Sequence, residues 1–214
     1  PTALLNYLAR LGWSKDNMEV FDIPTFVSVF DGSGLQSSPA RVDPAKLHWL
    51  NVQHLKQLSN DDLYMWSLQQ ENVVDSPLYQ GNFAAFAEIL RQRSDKTTSF
   101  VRDLVFVSQF VAKTTSFRAQ NADTAVVQAA WPRALHHLSQ QPWTATGIDA
   151  ALRAAAEDCG LGFGDVAKSL RVALSDEKAT PPLPMLFLAL GPALTSRFMA
   201  EALHASPAPS SPQP

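Results

Sequence analysis

Apolar residues recur at intervals of three and four along almost the whole chain: Leu4, Leu8 and Leu11; Tyr79, Phe83, Phe86 and Leu90; Phe100, Leu104, Val107 and Val111; Ile148, Leu152, Ala155 and Cys159. That period lays each set along one side of a helix, so the chain is predicted to be all-α. The helix ends are written as well. Asp43-Pro44 supplies a capping side chain and a proline for the first turn, and Gly160 follows a periodic run that it should end. The β-branched stretch Phe26-Val27-Ser28-Val29-Phe30 has no hairpin turn signal beside it and is read as helix. Pro132 falls inside the pattern of Val127, Trp131, Ala134 and Leu138, where a missing N–H and a ring clash predict a kink or break. Asp31-Gly32-Ser33-Gly34, the stretch from Asn72 to Pro77, and Gln140-Gln141-Pro142 read as loops, the last dividing the second half of the chain. The tail after Ala205, SPAPSSPQP, has the composition of a disordered segment. No internal repeat is visible.

Composition narrows the chemistry. With 214 residues and 46% hydrophobic side chains there is material for one large or two small cores. Seventeen Lys and Arg against twenty Asp and Glu give a net charge of -3, so any contact with a polyanion has to be local. The single cysteine, Cys159, excludes an internal disulfide and a cysteine zinc cluster, which fits the cytoplasm. No apolar run approaches the ~20 residues that cross a bilayer, and no signal peptide opens the chain. It begins at Pro1 already inside an amphipathic pattern, as an excised piece would.

Catalytic and metal chemistry find no foothold. His136 and His137 are adjacent, hence roughly 100° apart on a helix, and read as surface histidines; His48 and His54 lie six apart on different faces. Cys159 continues a packed stripe. The run Gly160-Leu161-Gly162-Phe163-Gly164 lacks the strand and the Lys-Ser/Thr of a phosphate loop and is read as an interhelical turn. One segment departs from the acidic average. From Arg91 to Arg118 the chain carries Arg91, Arg93, Lys96, Arg102, Lys113 and Arg118 against Asp95 and Asp103, a local charge of +4. On composition alone, a solvated helix face explains this better than a binding surface does. Arg93, however, continues the stripe of Tyr79, Phe83, Phe86 and Leu90, where a cation needs a partner. Arg171 lies about 140° from Val166 around its helix, off the stripe of Val166, Leu170 and Ala173, and is expected to face outward, free to bind.

The strings ALLNYLARLGW at 3–13, SPARVDPAKLHWLN at 38–51, GDVAKSLRVALS at 164–175 and TPPLPMLFLALG at 180–191 together resemble bacterial glutamyl-tRNA synthetases. The resemblance runs from residue 1 to about 204. It implies a helical stem-contact region over 1–70, a two-part anticodon-binding domain over 71–140 and 141–205, and a tail over 206–214. It implies glutamate tRNA as the partner, no DNA, no membrane and a monomer. Neither the HIGH-like nor the KMSKS-like motif of the class I catalytic domain is present; ATP and Mg would belong to that domain in the parent enzyme, and this fragment would hold no cofactor, metal or catalytic residue. Carried over residue by residue, the arginine ending the helix of LRQRSDKTTSF is Arg93, which would inspect the third anticodon base. The arginine of SLR is Arg171, and the Thr-Pro pair opening the next helix is Thr180-Pro181. Three departures from the family pattern are Val52-Gln53, Lys168-Ser169 and Pro184.

The donor count supports the role of Arg93. Glutamate tRNA ends its anticodon in cytosine, whose pairing edge offers the O2 and N3 acceptors, whereas glutamine tRNA ends in guanine, whose N1 and N2 donate. A guanidinium only donates, so it satisfies the first and opposes the second, a difference on the order of 1–3 kcal/mol. Thr180 offers a hydroxyl to a base edge, and Pro181 a rigid apolar face for stacking. For the tRNA stem, Asn51 and Lys56 are the weaker candidates, with a buried, satisfied asparagine the alternative for Asn51. The alternative at the level of the whole chain is a free-standing helical module that binds tRNA or a protein.

Overall fold

The computed structural model describes residues 2–37, 41–175 and 180–205. The Pro/Ser-rich tail and the start of the 38–51 string therefore lie outside the described residues. The helices are α1 (Thr2–Gly12), α2 (Ile23–Val29), α3 (Pro44–Gln57), α4 (Asn60–Ser67), α5 (Pro77–Arg93), α6 (Thr97–Lys113), α7 (Thr124–Gln140), α8 (Ala145–Asp158), α9 (Phe163–Leu174), α10 (Leu183–Leu190) and α11 (Pro192–Ala205), with one 3-10 turn at Ala119–Asn121. Among the described residues there is no strand, only an isolated bridge between Trp13 and Leu35. The chain is all-α, as its periodicity predicts.

Local chemistry sets the ends. The Asp43 carboxylate accepts from the N–H groups of Ala45 and Lys46, and Pro44 occupies the first turn of α3. Ser76 caps α5 through the Tyr79 N–H, again with a proline behind it. Gly160 closes α8 at φ +64°, and its loop joins α8 to α9 as an interhelical turn. Helix α7 runs through Pro132 without a break; Pro132 is exposed, while Trp131 and Ala134 beside it are buried in the core and hold the helix on both sides of the proline. Ser169, one of the departures from the family pattern, is buried and accepts a hydrogen bond from the Trp131 indole at 3.0 Å, tying α9 to α7. Pro184 sits in the first turn of α10, where no intrahelical N–H is required.

Two apolar clusters form. The larger draws on every helix from the end of α3 to α11, with the stripes of α5, α6, α7, α8 and α9 all inside it. At its centre is α10, with seven of its eight residues buried. It packs against α5 and α6 on one side and α8, α9 and α11 on the other. No single helix among the described residues is long and apolar enough to cross a membrane; α10 and α11 together are, but they bend by 106°. The bend is at Gly191, whose φ is +80° and whose missing Cβ would come within 3.3 Å of the Asn82 amide. The division expected at residue 140 falls inside a tightly packed hairpin of α7 and α8, so both parts of the domain share one core.

The smaller cluster belongs to α1, α2 and α3. Trp13 is surrounded by Phe21, Phe26 and Phe30 at centroid distances of 5.8, 5.1 and 6.0 Å. Helix α1 is present as predicted, but the buried side is Ala3, Asn6 and Tyr7, and the leucine stripe faces out: Leu4 and Leu8 are 49% and 52% exposed. Asn6 makes that reversal stable. Its Oδ1 accepts from the Phe21 N–H at 3.1 Å and meets His54 Nε2 at 3.0 Å, while its amide donates to the Glu19 carbonyl at 3.2 Å.

His54 consequently resists protonation. Burial lowers its pKa below the ordinary 6.5, with the charge of Asp22 opposing the shift. The unfolded chain then binds the proton more readily, so stability is full above pH about 6.5 and falls as the pH drops through the lower folded-state value. Acidification from pH 7 toward 5.5 is expected to lower the melting temperature followed by tryptophan fluorescence, and His54→Gln to flatten that slope. An unaltered slope in the variant would contradict this role for His54.

Candidate nucleic-acid interface

Two helix ends, those of α5 and α9, lie toward the N-terminus of α10. Helix α5 ends in Arg93, where a cation also suits the carbonyl end of the helix dipole. Helix α9 carries Arg171 in its last turn. Thr180 and Pro181 lead into α10, whose other end is tied to α5 by the Asn82 amide donating to the Ala189 carbonyl at 2.9 Å. Because α10 lies along α5, anchoring one end at Asn82 delivers the opposite end to the neighbourhood of Arg93. The pKa of Arg171 is lowered first by burial and then by the charge of Arg93.

Each predicted residue can now be placed. Arg171 leaves the core stripe as expected, but it is half-buried and engaged rather than free. Its Nη1 donates to the Thr180 hydroxyl at 2.7 Å and to the Pro181 carbonyl at 3.1 Å. Both acceptors are neutral, so among the described residues the Arg171 charge is held in place without being cancelled. The bond also fixes the polarity of Thr180. Its oxygen accepts from the guanidinium, which leaves the hydroxyl proton to be donated elsewhere. Pro181 is buried, and the apolar stacking face expected of it is covered; its carbonyl instead positions Arg171.

Arg93 is not a core residue. The stripe of Tyr79 to Leu90 runs out at the helix end, and the Arg93 side chain is 40% exposed. The partner it requires is Asp103 on α6, 4% exposed, whose Oδ2 accepts from Arg93 Nε at 3.1 Å. Asp103 Oδ1 takes Arg102 as well, from Nε and Nη2 at 3.2 Å each. Sequence reasoning counted Asp103 only as a charge. The available signal was its position three after Phe100 and four before Val107, on the buried side of α6, where a carboxylate cannot sit without cations.

The rest of the basic segment divides by function. Arg91 is bound internally, donating to the Leu58 carbonyl at 2.9 Å, and so ties α5 to the end of α3. Arg102 and Lys113 are exposed. Beyond Lys113, a groove of about 250 Å³ between the ends of α6 and α9 is lined in part by Phe106, Phe110, Lys113, Thr114, Arg118 and Ser175. The stem candidates are less available. Asn51 is half-buried and donates to the Thr97 hydroxyl at 2.8 Å, so the satisfied-asparagine alternative describes it. Lys56 is half-buried one turn on. Trp49 is partly packed, with the Lys46 ammonium 4.1 Å above its ring.

The histidines lie away from this site. His48 and His136 are exposed, and His137 is half-buried, 2.8 Å from Asp158. Cys159 is half-buried against the core and donates to the Ala129 carbonyl at 3.1 Å.

The family model described as the anticodon binding domain matches residues 49–203. Among curated relatives, the glutamate–tRNA ligase of Bordetella avium is 29% identical over 192 residues, covering 89% of this chain and 41% of the relative. That of Polaromonas naphthalenivorans is 34% identical over 188 residues, covering 86% and 39%. A solved glutamate tRNA ligase from Elizabethkingia meningosepticum, in complex with its amino acid, superposes with a TM-score of 0.64 at 25% identity, covering 97% of this chain and 41% of that one. The chain thus spans about two fifths of the length of these relatives.

The Arg171 to Thr180 bond predicts a stability effect. Thr180→Val removes the acceptor at constant shape and should cost about 1 kcal/mol in chemical denaturation. A change within error of zero would mean that the pair does not hold the α9 to α10 junction together.

Proposed function

Since the chain belongs to the anticodon binding domain family, we propose that it is the tRNA-reading part of a glutamate–tRNA ligase. It supplies recognition, while ATP, Mg and the chemistry of joining glutamate to tRNA belong to the remainder of that enzyme, in the cytoplasm. The observation that carries the reading is the Arg171 to Thr180 bond, which joins the last turn of α9 to the residues leading into α10, a helix packed against α5 and its terminal Arg93. Unpaired nucleotides present base edges that such side chains read by hydrogen bonding.

The roles follow from the bonds already made. Arg93 commits Nε to Asp103, which leaves the terminal Nη1 and Nη2 as the donor pair with which it would meet a base. Two parallel donors match the O2 and N3 acceptors of cytosine and oppose the N1 and N2 donors of guanine, which distinguishes a third anticodon base of glutamate tRNA from that of glutamine tRNA. Arg171, charged and bonded only to neutral acceptors, attracts a phosphate or a base acceptor, and Thr180 donates its hydroxyl to a base edge. Pro181 contributes through its carbonyl, by fixing Arg171. Asn51 and Lys56 are at most secondary stem contacts. The apolar face of Leu4, Leu5 and Leu8 on α1 with Ile23 and Val27 on α2, left uncovered here, suits a contact with the rest of a larger ligase.

Binding of the chain to glutamate tRNA, titrated with salt beside a variant whose third anticodon base is guanine, tests this. The cytosine form is expected to bind about tenfold more tightly. Arg93→Gln should bring the two together, and Arg171→Gln should weaken both and reduce the salt slope by about one. Equal weak binding to both RNAs by the unmodified chain would overturn the assignment.

A further inference from the structure

We propose that Asp103 is a positioning residue for specificity: it sets which end of the Arg93 guanidinium is presented to the third anticodon base. The inference rests on the anticodon reading above and extends it to a residue that touches no RNA. A guanidinium has two edges that can donate in pairs, one made of Nε with a terminal nitrogen and one made of the two terminal nitrogens. The buried Oδ2 of Asp103 occupies Nε at 3.1 Å, which commits the first edge and leaves the terminal pair as the other donor edge. Arg93 is 40% exposed at a helix end, and among the described residues Asp103 is the hydrogen-bond partner that holds this flexible side chain. Asp103 itself has no freedom to move away. It is 4% exposed on the packed side of α6, between Phe100 and Val107, and its second oxygen is held by Arg102 Nε and Nη2.

Arg102 completes the arrangement. With one cation on each oxygen, the carboxylate is satisfied without drawing Arg93 flat against the protein. A carboxylate bound by Arg93 alone would compete for both the Nε and Nη donors of that arginine in bidentate fashion. Because Oδ1 is already committed to Arg102, Arg93 is engaged through one oxygen only, and its terminal pair stays available.

A double-mutant cycle in the intact chain tests the proposal, read as the ratio of affinities for anticodon stem-loops ending in cytosine or guanine. Asp103→Asn keeps the shape but offers one acceptor oxygen and turns an amide donor toward an arginine. It is expected to reduce the ratio by about tenfold in the unmodified background and to leave it unchanged in the Arg93→Gln background, since its effect passes through that arginine. A purely structural role would lower the affinity for both RNAs equally and would do so in either background. Melting curves identify folded variants. If Asp103→Asn does not fold, Asp103→Glu, which displaces the anchor by one methylene and keeps its charge, takes its place in the cycle with the same expectation. A ratio that survives either folded variant overturns the role of Asp103 and leaves the anticodon reading intact. Absence of any discrimination by the unmodified chain overturns both.

Discussion

A helix without a polar face has to be enclosed on all sides, and α10, LPMLFLAL, is such a helix. Enclosure demands partners from both halves of the domain, which is why α5 and α6 press on one side of it and α8, α9 and α11 on the other. The residues leading into α10 are then delivered wherever its first turn ends up. That place is beside the last turns of α5 and α9, with Arg93 and Arg171 at their ends. The candidate interface is thus a consequence of core packing: three chain segments separated by up to ninety positions are brought together because an apolar helix cannot remain in water.

Electrostatics decides what those residues do once they are there. The chain as a whole is acidic, and its cations are not spread for general attraction to RNA. In the basic segment Arg91, Arg93 and Arg102 have a carboxylate partner: Arg91 reaches Glu88 besides the Leu58 carbonyl, and Arg93 and Arg102 share buried Asp103. Arg171 is held by neutral oxygens with no carboxylate partner among the described residues, which leaves its charge to act outward. Holding cations in fixed orientation removes part of the entropy loss that binding would otherwise require, and makes the interaction depend on the hydrogen-bonding pattern of the base more than on its charge. A site built this way is suited to telling one nucleotide from another.

Much of this was legible in the chain itself, and the exceptions have a common cause. The stripes on α5 to α9 correspond to buried faces because each of those helices packs into one shared core, so periodicity and burial coincide. On α1 they do not. Leu4, Leu8 and Leu11 have core spacing, yet the buried side is Ala3, Asn6 and Tyr7. Periodicity reports that a face is apolar and says nothing of what covers it. Pro132 is another exception, since α7 continues through it without a break, whereas the loop expected after residue 140 is present as the turn between α7 and α8. Partners are harder still. That Arg93 would have a partner was expected from its place at the end of the stripe, but identifying Asp103 as that partner required knowing how α6 returns past α5. The burial of Pro181 and the capture of Arg171 by Thr180 depend likewise on where α10 is pinned.

One guanidinium, held by its Nε and proposed to read a base with its terminal nitrogens, is best tested by a crystal structure of the chain with an anticodon stem-loop ending in cytosine. The expected arrangement has Arg93 Nη1 and Nη2 on O2 and N3 of the third base, with Nε still on Asp103 Oδ2 and Arg171 within reach of the same loop. A loop seated on another face, or an Arg93 that has released Asp103 to contact the RNA, would rule this arrangement out.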